Sequence, residues 1–166
     1  MPGRLTFVIE KGQVVVTARS SIHDTKTIWP RLSGTIAVDP AAPEAGASVE
    51  VEVDMREFDA GDRLRNWKLR SDLDPENHPT ATFRLTRLEV TGAQPLSAAA
   101  FGVLAWRGRE VELRAVGDGT IGEDALSARA RFELDVRSLG VEPPKIFFLR
   151  VENVVKVEVT VSARAA

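Results

Sequence analysis

The chain has 166 residues, 43% apolar and 28% charged, which suits one domain spanning residues 1–166 with a sizeable core. A net charge of -2 offers nothing to nucleic acid, and the absence of cysteine excludes disulfides, zinc–thiolate sites and cysteine nucleophiles. The start, MPGRLTFVIEKGQVVV, lacks a signal peptide's apolar run and cleavage site, and no window approaches the roughly 20 apolar residues of a membrane span. A cytoplasmic protein without stable membrane insertion is expected.

Period-two alternation dominates the chain. Strands are expected at 5–10 and 13–20, with EKGQ between them as a tight hairpin. RLSGTIAVD places Leu32, Gly34, Ile36 and Val38 on one face. After a longer turn, DPAAPEAGA, the stretch SVEVEVDM aligns Val49, Val51, Val53 and Met55 against Glu50, Glu52 and Asp54. Residues 60–79 break the pattern and predict one short helix near residues 61–71. Asp62 caps its start and Asp74-Pro75 marks its end. Leu64, Trp67 and Ser71 form a narrow stripe expected to face the sheet, with Arg63 and Arg70 on one flank and Arg65 and Lys68 on the other.

Further strands are expected at 80–90, 98–106 and 110–117. The parity slip between Leu85 and Leu88 predicts a bulge near Thr86 and Arg87. WRGRE reads as a tight hairpin and GDGTIGED as a longer one. LSARARFELDV sets Leu126, Ala128, Ala130, Phe132, Leu134 and Val136 on one face, and VVKVEVTVSA does the same with Val155, Val157, Val159 and Val161. About nine short-connected strands, each with one apolar face, mean an antiparallel sandwich or a closed barrel. The segment PPKIFFLRV, 143–151, does not alternate, and its prolines bar its first residues from a central strand.

Catalytic signals are sparse. His23, beside Asp24 in SSIHDT, has the chemistry of a general base or of a strand-end histidine making a local hydrogen bond. His78 precedes Pro79 in a turn. Two isolated histidines do not make a metal site, and no nucleophile elbow or phosphate-cradling loop is present. The Arg63, Arg65, Lys68 and Arg70 cluster reads either as a solvated helix shoulder or as a site for an anionic head group.

Three segments together resemble the YceI-like family. In LRSDLDPENHPTATF, Asp74, Pro79 and Phe83 match the family's lead into a strand, with His78 where tyrosine is usual. FGVLAWRGREVELRA is similar to its hairpin, with Gly108 in the turn. ARARFELDVRSLGVEPPKIFFLRVENVVKVEVTV resembles its end, with Asp135, Gly140 and the final valine-rich strand. The start departs from the pattern at Trp29-Pro30. The resemblance implies a lipocalin-like antiparallel barrel of about eight strands holding a polyisoprenoid, such as a quinone tail, in its lumen.

These readings converge on a non-enzymatic module that binds, carries or sequesters an isoprenoid or other long-chain lipid, without cofactor or metal. Trp67, Phe83, Leu85, Phe101, Phe132, Phe147 and Phe148 are the candidate cavity or mouth residues. One rival is a filled barrel that forms a homodimer through the apolar loop 143–151. A second is a small-molecule enzyme using His23.

Overall fold

Alternation of apolar and polar residues produces long strands, and these close on themselves. The computed structural model describes residues 3–20, 24–141, 145–146, 149–150 and 152–166. Its strands are β1 (Leu5–Arg19), β2 (Asp24–Trp29), β3 (Leu32–Val38), β4 (Ser48–Asp54), β5 (Thr80–Ala93), β6 (Leu96–Trp106), β7 (Arg109–Ile121), β8 (Ala125–Asp135) and β11 (Val154–Ala165). Between β8 and β11 come a 3-10 turn, Val136–Leu139, and two antiparallel two-residue strands, β9 (Lys145–Ile146) and β10 (Leu149–Arg150). Among the described residues, one nine-stranded sheet runs in the order β11-β8-β7-β6-β5-β4-β3-β1-β2, and β1 also pairs with β11. That last pairing closes an all-β antiparallel barrel of eight strands, leaving β2 as an extra strand beside the second half of β1.

EKGQ is not the expected hairpin. β1 runs straight through it, and the register against β11 slips between Ile9 and Lys11, so Glu10 is a bulge. A Cβ on Gly12 would lie 2.5 Å from the carbonyl oxygen of Thr160, which shows how closely β11 approaches there. β2 is also absent from the expected strands. Its half-buried positions are Thr25 and Thr27, so its alternation is not written in hydrophobicity. The bulge expected near Thr86 and Arg87 is present, with the β5–β6 register slipping between Leu85 and Arg87. WRGRE turns with positive φ at both Arg107 (56°) and Gly108 (72°), the geometry that suits a two-residue hairpin.

The helix, α1 (Arg63–Leu73), connects β4 to β5 across one end of the barrel. Asp62 caps it by accepting from the Arg65 N–H at 2.9 Å, and Asp74 ends it in the left-handed conformation. Its orientation corrects the expected stripe. Leu64 is 43% and Trp67 68% exposed, whereas Leu73 is buried and Leu69 packs beside it on the core. Both stripes have helical spacing. Asn66, whose side chain accepts from the Ala60 N–H at 2.6 Å, ties the Leu69/Leu73 side to the incoming chain. Of the basic cluster, Arg65 pairs with Asp62, Lys68 with Asp72 and Arg70 with Glu76, so these side chains work as an ion-paired helix shoulder.

β4 and β8 leave the barrel by the same device. Asp54 accepts from the Arg56 N–H and from the Arg56 guanidinium, and Asp135 repeats this with Arg137. The side-chain hydrogen bond from the neighbouring guanidinium, helped by the backbone N–H, holds each carboxyl below the ordinary carboxylate range.

Two outcomes check this fold. Leu73→Ala costs about 2–5 kcal/mol of unfolding free energy, whereas Trp67→Ala stays within about 0.5 kcal/mol, measured by denaturant titration. Because the folded pKa values of Asp54 and Asp135 are depressed, their stabilisation is present above the unfolded carboxyl pKa. It is lost as pH falls through the folded values. The double variant Asp54→Asn/Asp135→Asn therefore melts lower than the wild type at pH 7, and the gap narrows in scans taken progressively into acid.

Candidate functional site: the barrel lumen

The inward residues of the barrel do not fill it. They surround a cavity of about 400 Å³, within the range of about 300–1,000 Å³ typical of small-molecule sites. Its width follows from side-chain size on three adjacent strands. β6 contributes Ala98 and Ala100, β7 contributes Ala115, Gly117 and Gly119, and β8 contributes Ala128 and Ala130. Valines line two other strands: Val49, Val51 and Val53 on β4, and Val155, Val157, Val159 and Val161 on β11, the neighbour of β8.

The two ends differ. At the helix end the lumen is closed by buried Trp29, Met55, Leu73, Trp106, Leu139 and Val141. Leu139 and Val141 come from the 3-10 turn and the chain just after it. They fill a fork in the wall: β7 and β8 pair only from Ile121↔Leu126 to Val116↔Arg131, and the turn after β8 packs against β7. At the opposite end the lining residues Pro43, Ala47, Leu88, Leu96 and Ile121 are only half-buried, so the lumen reaches the surface there.

The wall is almost entirely carbon. Among the described residues no polar or charged residue is buried. Thr82, Asp118, Ser127 and Arg129 border the lumen, but each occupies an outward strand position flanked by inward residues. The Trp106 indole donates to the His78 carbonyl oxygen at 2.8 Å, which gives His78 a backbone role, and the Trp29 indole N–H is buried without an acceptor. Among the described residues no group of three His, Cys or carboxylate side chains could hold a metal ion.

The candidate residues divide. Phe83, Leu85 and Phe132 line the lumen. Phe83 explains the glycine next to Phe101: a Cβ on Gly102 would lie 2.4 Å from the Phe83 ring, so glycine takes that inward position. Phe101 consequently stands on the outer face, its ring covered by the Arg87 guanidinium at 4.0 Å and that of Arg114 at 5.9 Å. Trp67 is on the solvent side of α1 and does not line the cavity. Phe147, Phe148 and His23 lie outside the described residues. Sequence reasoning did not nominate the small residues of β6 and β7 that open the lumen. Their alternation, Ala98, Ala100 and then Ala115, Gly117, Gly119, was the available signal.

Comparison with solved structures finds the same barrel. BcnA of Burkholderia cenocepacia superposes with a TM-score of 0.79 at 17% identity, covering 91% of this chain and 95% of that one. A polyisoprenoid binding domain from Saccharophagus degradans, implicated in plant cell wall breakdown, gives 0.74 at 12% identity, covering 98% and 99%. The YceI protein of Campylobacter jejuni gives 0.68 at 14%, covering 83% of each chain. No curated protein matches the chain in sequence. The YceI-like domain model matches residues 4–163, and the chain belongs to the YceI-like family.

Proposed function

We propose that this protein binds one slender apolar molecule, an isoprenoid or similar long-chain lipid, in the barrel lumen, and so carries or sequesters it. The observation that carries this reading is the carbon-lined cavity of about 400 Å³ held open by alanine and glycine on β6, β7 and β8. Each CH2-sized group buried there contributes about 0.8 kcal/mol, so a chain of moderate length binds usefully without a polar anchor. The description of the Saccharophagus degradans domain as polyisoprenoid binding supports an isoprenoid among the candidate lipids. The role is one of binding rather than catalysis. Among the described residues the lining side chains are nearly all hydrocarbon, with no acid, base or nucleophile at an inward strand position.

Two measurements test it. Protein purified without detergent and extracted into organic solvent yields a lipid near one per chain by mass spectrometry, and a clean extract together with failure to take up any apolar dye rejects the reading. Filling the lumen by Ala115→Phe/Ala130→Phe lowers affinity for N-phenyl-1-naphthylamine at least about tenfold while leaving the far-ultraviolet dichroism unchanged. Equal affinity in this variant places the dye elsewhere. Phe101→Ala, on the outer face, leaves dye affinity within about twofold.

A further inference from the structure

A buried apolar chain leaves open what its polar end looks like, and the lumen restricts that chemistry. We propose that the site selects ligands with an uncharged head, such as an alcohol, a ketone or a quinone ring, and rejects the same chain ending in a carboxylate or phosphate. This rests on the lumen-binding reading above and deepens it.

The first ground is the wall. An ionised carboxylate or phosphate taken into an apolar site carries a large desolvation penalty unless a cation or several donors meet it. Among the described residues no lysine or arginine side chain faces the lumen, because Arg129 stands at an outward position of β8. Among the described residues the buried donor without a partner is Trp29 Nε1, which is neutral and does not offset a full charge. The second ground is the mouth. The open end carries Asp39, Glu44, Asp118, Glu123 and Asp124, set against Arg4, Arg129 and Arg164. Arg164 is already paired with Glu10 at 3.0 Å, and Arg129 is the cross-strand partner of Asp118. A charged head left at the rim therefore meets mostly like charge. An uncharged head suffers neither penalty: it sits in the wet mouth or passes inside at modest cost.

The test uses the wild-type protein and two ligands that share one chain. Geranylgeraniol and geranylgeranyl monophosphate compete against N-phenyl-1-naphthylamine at pH 8, below their aggregation concentrations. The alcohol is expected to displace the dye at concentrations on the order of 100-fold lower than the phosphate, and raising salt narrows the gap only slightly. Glu123→Lys/Asp124→Lys reverses charge at the mouth, far from the wall, and tightens the phosphate about five- to tenfold with the alcohol unchanged. Equal displacement by alcohol and phosphate overturns the head-group inference and leaves lumen binding standing. Displacement by neither ligand, with no dye uptake, removes both. A mouth variant that tightens alcohol and phosphate alike overturns the charge argument.

Discussion

The pairing of the first strand with the last carries the architecture. β1 meets β11 over a register from Phe7↔Ala165 to Thr17↔Lys156, and only this ladder converts an open sheet into a ring. Without it, β11 at one side and β1 at the other would present unpaired edges, and the apolar inner face would lie open to water. β1 therefore has to serve three neighbours. Its first residues pair with β3, its second half with β2, and its other edge with β11. The Glu10 bulge and the bare backbone at Gly12 accommodate this by bending the strand and letting β11 approach closely.

Once the ring is closed, the lumen is a matter of side-chain volume at fixed positions. An eight-stranded barrel is just wide enough either to fill with side chains or to hold one thin ligand. Gly117 shows the constraint at its sharpest, since a Cβ there would lie 2.2 Å from the Arg129 carbonyl oxygen. β7 and β8 are thus drawn together along their paired halves and part beyond Val116 and Arg131, where Leu139 and Val141 fill the gap from inside. Two clusters of buried apolar residues lie toward the ends. Trp29 and Trp106 lie in the cluster at the helix end, and Phe7 and Ile36 anchor the other cluster. Between them the alanines and glycines of β6, β7 and β8 keep the lumen open beside Phe83 and Phe132.

Much of this was legible in the chain because strand alternation follows from simple geometry. The faces of β3, β4, β8 and β11, the bulge after Leu85, the cap at Asp62 and the WRGRE turn all follow from local spacing. What escaped depends on contacts distant in sequence. EKGQ reads as a hairpin until β11 is seen to pair across it. The helix carries two stripes of equal spacing, and the choice of Leu69/Leu73 over Leu64/Trp67 is made by the barrel end it covers. Among the candidate site residues, Phe83, Leu85 and Phe132 were placed by parity that local sequence does determine. Phe101 lies one step out of phase with Ala98, Ala100 and Leu104, a phase that the Phe83 ring enforces through Gly102.

A lumen of this kind sets stability against function. Apolar space that side chains do not fill forfeits dispersion contacts on the residues around it, and such space stays dry because it offers water no partners. Close-packed barrels do not carry that loss. Here it is offset by ladders that join every neighbouring pair round the ring and by a cluster of buried apolar residues toward each end. The same feature makes a lumen ligand a stabiliser of the folded chain, since it restores contacts available only when the barrel is closed. The scarcity of polar side chains among the described residues of the wall then has a thermodynamic meaning. A hydrogen-bonding or charged group in the wall would hold one head group firmly, yet would leave an unsatisfied polar atom whenever that head was elsewhere. A carbon wall avoids that penalty in both states. It takes its selectivity from chain shape inside and charge at the mouth.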